Sequence, residues 1–460
     1  MPHHDLLVIG TGSGNAVVDD SFDHLDVAFV EDRKVGGTCV NFGCIPSKML
    51  AHTADVADTV TDAGSFGVDA QLRAVHWRQV RDRVFDRTDL VSEEGRRSRE
   101  KADNITLYRG RAVFTGPCRV RVDRDADTGL EVTADRIVIA TGGRPVVPPA
   151  VAESGLPYET SDTVMRIDAP PRRLAVLGGG YIAAELAHVF SAAGSQITII
   201  DTSDRLLGGP QDDQIRQVYT DAVRDRYDLR LGTEIDRVDG EPGALRLTLD
   251  DGTTVAADML LVAAGRTSNA DRMNLAAAGV DVHDDGRIVV DEFCRTSADG
   301  VFALGDVSTP IPLKHVANRE AAVVAHNLLH PDRLRAVSHD RVPWAVFTDP
   351  QIAGVGVTEQ QARERYPDHL IGVRQFCDVA YGWAMAADTG LCKVIVDAAN
   401  RRILGAHIIG PQAATLLQLF VVAMEFGIRA DDLAHLPYWV HPALTEVVEN
   451  ALLDAESEAA

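Results

Sequence analysis

No apolar run in this 460-residue sequence approaches the roughly 20 residues needed to cross a bilayer. Low-complexity tracts are missing too, and the N-terminus passes almost at once into Asp5-Leu6-Leu7-Val8-Ile9-Gly10 without a charged and then apolar leader. The expectation is a compact cytoplasmic protein with no membrane contact. Cationic charge is scarce: 45 Lys and Arg stand against 68 Asp and Glu, a net −23 spread along the chain, which argues against nucleic acid or an anionic membrane as partner. Cysteine is scarce as well. Six cysteines without a dense framework suit a reducing compartment, where a surviving disulfide is more often catalytic than structural. The length allows two or three domains, each with its own core.

Two of those cysteines lie close together, in Gly36-Gly37-Thr38-Cys39-Val40-Asn41-Phe42-Gly43-Cys44-Ile45-Pro46-Ser47-Lys48. An i to i+5 pair on a regular helix is roughly 8 to 9 Å apart at Cα, beyond the limit of about 7 Å for a bridge. The backbone between Cys39 and Cys44 is therefore expected to wind irregularly, which Gly36, Gly37 and Gly43 permit, with a helix starting after Cys44 around Pro46. A tight bridge at a helix N-terminus is easily reduced, and the helix end favours the thiolate. The stretch reads as a redox-active disulfide. A stabilising bridge gains most from a long loop, and a zinc site wants more ligands nearby, whereas Cys118, Cys294, Cys377 and Cys392 are scattered.

The same binding unit occurs twice. The apolar run at Asp5 to Gly10 enters Gly10-Thr11-Gly12-Ser13-Gly14-Asn15, then a segment able to form a helix, then Asp26 to Val30 ending at Glu31. Strand, glycine loop and terminal acid form a dinucleotide-binding β-α-β pattern, in which the glycines admit a pyrophosphate at the helix N-terminus and Glu31 accepts hydrogen bonds from a ribose. Asn15 stands where a third glycine is usual. The pattern returns as Leu174 to Leu177, Gly178-Gly179-Gly180-Tyr181-Ile182-Ala183-Ala184-Glu185, and a strand ending at Asp201. Two units imply two dinucleotides.

Between and beyond them, Met49, Leu50, Val56 and Val60 predict a buried helix behind the cysteines, and Trp77 to Lys101 predicts a long solvated one. Ile137 to Arg144 is echoed by Met259 to Arg266, Val301 to Val307 reads as a buried strand ending in an exposed acid at Asp306, and from about Val342 shorter β-like runs, including Phe347 to Pro350, suggest an α+β domain.

Gly10-x-Gly12, the Cys39 to Lys48 block, Gly178 to Glu185, Ala303-Leu304-Gly305-Asp306 and His441-Pro442-Ala443-Leu444-Thr445-Glu446 together resemble the flavoprotein disulfide reductases of the glutathione reductase and dihydrolipoamide dehydrogenase type. Within that family, Gly10 to Asn15, Ser161 to Ile167, Leu313 to Asn318, Asp378 to Met385 and Tyr438 to Leu444 resemble the branch that reduces mycothione, the disulfide of mycothiol. The resemblance implies an α/β fold: two Rossmann-like domains, a flavin domain at 1–150 and 269–338 and an NAD(P)H domain inserted at 151–268, followed by an α+β dimerisation domain at 339–460. It implies a homodimer with its active site shared between subunits and a small-molecule disulfide as substrate.

By the same resemblance, electrons pass from NAD(P)H through FAD to Cys39–Cys44, with Cys44 facing the flavin and Cys39 attacking the substrate. His441 manages the proton that such an attack must move, Glu446 orients it, and the pair serves the partner subunit's site. Cofactor contacts are implied for Gly10, Gly12, Gly14, Glu31, Thr38, Lys48, Ala112, Thr141, Gly142 and Asp306 on the flavin side, with Lys48 paired to Glu185. On the NAD(P)H side they fall to Gly178, Gly180, Tyr181 as an aromatic lid, Ala183, Asp201 and Gly265. No metal is expected.

One residue pulls the other way. The resemblance implies NADPH, but the second strand ends at Asp201, followed by Thr202, Ser203 and Asp204, with Arg205 the only nearby cation. An acid there suits the bare ribose of NADH, and would favour the rival reading, a dihydrolipoamide dehydrogenase. Mercuric reductase and the large thioredoxin reductases need a C-terminal redox pair, and no cysteine follows Cys392.

Overall fold

The computed structural model describes residues 1–123, 129–209 and 211–458. Its first sheet runs in the order Ile105–Arg109, Val27–Glu31, His3–Ile9, Leu130–Ile139, Arg119–Asp123, Arg111–Gly116, with Val301–Ala303 also paired to Leu130–Ile139. The strands around His3–Ile9 are parallel, and all five residues of Val27–Glu31 are buried. That is the near-continuous apolar pattern of a sheet covered on both faces.

The second sheet repeats the plan with Asp228–Leu231, Gln196–Asp201, Arg173–Leu177, Met259–Val262 and Glu159–Thr160, all parallel. The replica extends to the turns. Gly10 (φ 101°) and Gly178 (φ 107°) both leave their strands with a positive φ, and a Cβ on either would strike a carbonyl oxygen, that of Ala140 or of Ala263. The two echoed segments meet, because Gly143–Pro145 and Arg266–Ser268 pair as an antiparallel ribbon.

A third, antiparallel sheet runs Trp344–Val346, Ile352–Gly356, Ile403–Ile409, Leu391–Asp397, His369–Gln375. The helices Ala413–Phe426 and Glu446–Ser457 contribute to its core through Leu416, Leu417, Phe420, Val447, Val448 and Leu452. The fold is thus α/β with two Rossmann-like units and a C-terminal α+β domain.

Several sequence expectations are corrected. The segment after Gly14 forms no α-helix but two 3₁₀ turns, Ser13–Ala16 and Asp20–Phe22, the second capped by Asp19 accepting from Ser21 N. Val17, Val18 and the Asp-Asp-Ser run are weak helix formers, and the helix Lys314–Leu329 supplies Ala321, Val324 and Leu328 to the core that holds Val17 and Phe22. The helix behind the cysteines, Cys44–Asp62, buries Leu50, Ala51, Ala54 and Ala57, whereas Val56 is 54% exposed. Small residues are used where this helix approaches Tyr181–Ala192. Phe347 to Pro350 is a bend beyond the strand that ends at Val346.

Candidate active site

The chain between the two cysteines breaks as the glycines require. Gly37–Asn41 is one short helix, Phe42 and Gly43 leave it, and Cys44 opens the next. Gly37 has a positive φ (62°) and lies against Gly12, so that a Cβ there would sit 2.5 Å from the Gly12 Cα. The redox segment and the first glycine loop are thereby in backbone contact.

Cys39 and Cys44 stand as an unbridged, mutually hydrogen-bonded dithiol. The hydrogen bond from Cys39 lowers the Cys44 thiol to about 7, helped by the Lys48 charge and opposed by burial. The same hydrogen bond, with burial, pushes Cys39 far upward. Of the two sulfurs, Cys44 is thus the more readily deprotonated and Cys39 the one that holds its proton more tightly.

Three adjoining cavities lie around this dithiol, and it lines one of them. The first is lined by Gly10, Gly12, Glu31, Thr38, Ala112, Thr141 and Gly142. A second, holding Cys39, Cys44, Lys48, Glu185, Arg266 and Asp306, shares Thr38, Phe42, Ala140 and Gly142 with it. The third is lined by Gly178, Gly179, Gly180, Asp201, Gly265 and Arg266, and shares Tyr181, Ile182, Arg266 and Pro312 with the second. Tyr181, 42% exposed, stands on that shared wall.

Glu31 is anchored at the far end of the first cavity: its Oε2 accepts from Thr11 N (2.9 Å) and Thr11 Oγ1 (2.5 Å), its Oε1 from Arg33 N (2.8 Å). At the dithiol end, Lys48 Nζ donates to both oxygens of buried Glu185 at 2.7 Å, and Glu185 also accepts from Phe347 N at 3.0 Å. Asp306 is half-buried rather than exposed. Burial pushes its carboxyl up, against Arg266, a backbone hydrogen bond and Lys314.

Some of the expected residues lie off these cavity walls. Gly14 and Ala183 line none of these cavities. A Cβ on Gly14 would crowd Val8 and Ala140, and Ala183 is fully buried inside its helix. Both fill the helix-packing role that the third fingerprint position serves. Gly14, not Asn15, has that role in the first unit, and the Asn15 amide donates to Thr11 O. His441 and Glu446 are also absent from the cavity walls. His441 is 72% exposed, its Nδ1 2.6 Å from Glu446 Oε1, among exposed Leu436, Tyr438 and Val440. Glu320 was missed in the sequence: nearly inaccessible, it accepts from Gly305 N (2.6 Å), beside Asp306, and pairs with His339 (2.8 Å). Its distance in sequence from any motif left no signal.

The residues fit a flavin dinucleotide: a glycine cradle in which a Cβ on Gly10 or Gly37 would run into backbone, an acid at the ribose end, and a Lys48 cation with Asp306 at the other. Fold and site define a disulfide oxidoreductase that couples two dinucleotides to a dithiol. The chain belongs to the pyridine nucleotide-disulphide oxidoreductase family, whose sequence pattern matches residues 4–321 and whose dimerisation domain matches 342–452. It is 48% identical to the mycothione reductase of Mycobacterium tuberculosis over 98% of this chain and 99% of that one, and 33% identical to the dihydrolipoyl dehydrogenase of Halobacterium salinarum over 97% and 95%. Among solved structures it is similar to the HOCl-induced flavoprotein disulfide reductase RclA of Escherichia coli, with TM-score 0.87, 26% identity and 99% of each chain covered. It is an FAD-dependent disulfide oxidoreductase that takes its electrons from NAD(P)H. Among the described residues no helix is long and apolar enough to cross a membrane.

Proposed function

We propose that this protein reduces mycothione to mycothiol, working in the reducing cytoplasm as a homodimer. The observation that carries the reading is the Cys39–Cys44 dithiol in a cavity that adjoins both dinucleotide cavities, and the mycothione reductase at 48% identity supports the choice of substrate. Residues 1–150 and 269–338 hold FAD, 151–268 hold the pyridine nucleotide, and 339–460 form the subunit interface.

Bound FAD supplies two-electron relay between the pyridine nucleotide and the dithiol. The chain's own residues do the rest. Gly10, Gly12, Thr38, Ala112, Thr141 and Gly142 shape the flavin cavity, Glu31 holds its ribose, and Lys48, fixed by Glu185, sets a cation beside the Cys44 thiolate. Asp306 is held for the flavin by the Glu320 anchor on Gly305. Gly178, Gly180, Gly265 and Asp201 form the second cavity, which Tyr181 covers.

Cys39 keeps its proton, so it needs a base to become a nucleophile. His441 from the second copy of the chain, with its Nδ1 fixed by Glu446, takes that proton. The Cys39 thiolate attacks one sulfur of the substrate disulfide, forming a mixed disulfide and breaking the S–S bond, and His441 returns the proton to the departing thiolate. The Cys44 thiolate then attacks Cys39 Sγ, releasing the second thiolate, which takes a proton from solvent, and leaving the oxidised pair. The exposed apolar face around His441 supports docking of a second copy.

The test is kcat/KM with mycothiol disulfide against lipoamide on FAD-loaded enzyme, each nicotinamide cofactor supplied in turn. A ratio far above one is expected. A ratio far below one would establish the lipoamide dehydrogenase reading, which Asp201 favours.

A further inference from the structure

Lys314 opens the helix Lys314–Leu329 and lies on the wall of the dithiol cavity with Cys39, Cys44 and Lys48. We infer that Lys314 is a positioning residue for the thiol–disulfide step: its ammonium, held by a hydroxyl instead of a carboxylate, stabilises the Cys39 thiolate that attacks the substrate. The inference rests on the reading of Cys39 as the attacking sulfur.

The ammonium is placed by an uncharged partner. Lys314 Nζ donates to Ser13 Oγ at 2.9 Å, and among the described residues it makes no ion pair. Lys48, by contrast, donates to both oxygens of Glu185 at 2.7 Å, which offsets much of its charge. Arg266 stands 3.9 Å from Asp306, and it acts on that carboxyl more strongly than Lys314 does. Ser13 and Lys314 both line the dithiol cavity, and neither is on the described walls of the first cavity, where Gly10, Gly12 and Glu31 lie. Lys314 therefore serves the dithiol end of the flavin site and not its ribose end.

Cys39 is the sulfur that needs such a charge. Its thiol is pushed far up, first by the hydrogen bond with Cys44, then by burial and by the Cys44 charge; Lys314 opposes the shift, and Lys48 does so less. When His441 from the second copy of the chain takes the Cys39 proton, a sulfur anion is left beside Cys44 in a partly closed cavity. A cation several Å away there is worth about one pKa unit. No atom or electron passes through Lys314: it stabilises the thiolate and the transition state that follows, in which the charge is shared among the sulfurs. Burial pushes the Tyr181 phenol on the same wall upward, so it adds no charge at neutral pH.

The experiment isolates Cys39 in flavin-loaded Cys44→Ser enzyme and follows its alkylation by iodoacetamide across pH by mass spectrometry, alone and combined with Lys314→Met or Lys314→Arg. The midpoint of the rate should rise by about one pH unit in Lys314→Met and return to within about 0.3 unit of the starting value in Lys314→Arg. Below the midpoint the rate should fall only about threefold, because the more basic thiolate is the better nucleophile. In the enzyme with both cysteines, Lys314→Met should lower kcat/KM for mycothiol disulfide by about 3- to 10-fold at neutral pH, with the deficit closing as pH rises and flavin bleaching by the nicotinamide unchanged. An unmoved midpoint in Lys314→Met, or a shift that Lys314→Arg does not reverse, overturns the inference. Loss of bound flavin or slower bleaching in either Lys314 variant overturns it too, since the ammonium would then serve the cofactor. A displaced midpoint with no turnover of mycothiol disulfide by the unsubstituted enzyme would remove the reductase reading and leave the effect of Lys314 on Cys39 standing.

Discussion

Removing the charge from either member of the Lys48–Glu185 pair should move the Cys44 thiol in opposite directions. The thiol stands at about 7, against an ordinary 9.0, first because Cys39 donates to it and then because Lys48 is near; burial and the Glu185 carboxylate act against the shift. Lys48→Met deletes a lowering charge and leaves Glu185 uncompensated, so both changes push the thiol up. Glu185→Gln deletes the raising charge and keeps an acceptor for Lys48 and for Phe347 N. A unit charge several Å away across a partly solvated site is worth about one pKa unit, or about 1.4 kcal/mol. The assay is the pH profile of Cys44 alkylation in the dithiol enzyme, followed by mass spectrometry, with retained flavin as the folding control. Because the thiolate is the reactive form, the wild-type rate rises through about pH 7. It should rise about one unit later in Lys48→Met and up to about one unit earlier in Glu185→Gln. Shifts of the same sign in the two variants, or none, would refute the electrostatic account.

Three further outcomes are expected. His441→Ala should cut kcat for the disulfide by about 10² to 10⁴ while flavin bleaching by the nicotinamide is unchanged; equal loss in both reactions would mean His441 is structural. Tyr438→Asp with Leu436→Asp, on a fully exposed face, should yield a flavin-loaded monomer without disulfide turnover, checked by sedimentation and assay together; a fully active monomer would exclude a shared site. Lys393 is sealed between Asp212, 3.1 Å away, and Glu359. Stranding buried Asp212 by Lys393→Met should cost about 3 to 5 kcal/mol of stability in denaturant titration, and a change under about 1 kcal/mol would show that water reaches the pair.

Much of this site could be read without coordinates because its chemistry is local. Gly37, Gly43, Cys39 and Cys44 lie within one short block whose dihedral and distance limits follow from spacing alone, and the strand, glycine loop and acid of each binding unit lie close together in sequence. What failed to show was tertiary. Asn15 looked like a flaw in the fingerprint, but Gly14 does the packing, since only the fold brings Val8 and Ala140 to its Cα. The helix expected after Gly14 is two 3₁₀ turns, because Lys314–Leu329 comes from 300 residues away to share the core of that segment.

The sequence by itself determined the dithiol, the pair of dinucleotide units and the acids that end them, since each is a short-range pattern enforced by backbone sterics and strand periodicity. The tertiary structure decided what those parts meet. It joined the three cavities through Tyr181, Arg266 and Thr38, and it tied Lys48 to Glu185 across 137 residues. It turned Asp201 onto Gly179, and it left His441 on an exposed face away from the dithiol. These are contacts between remote segments, fixed by how sheets and helices pack rather than by any local preference, and no spacing rule could have given them.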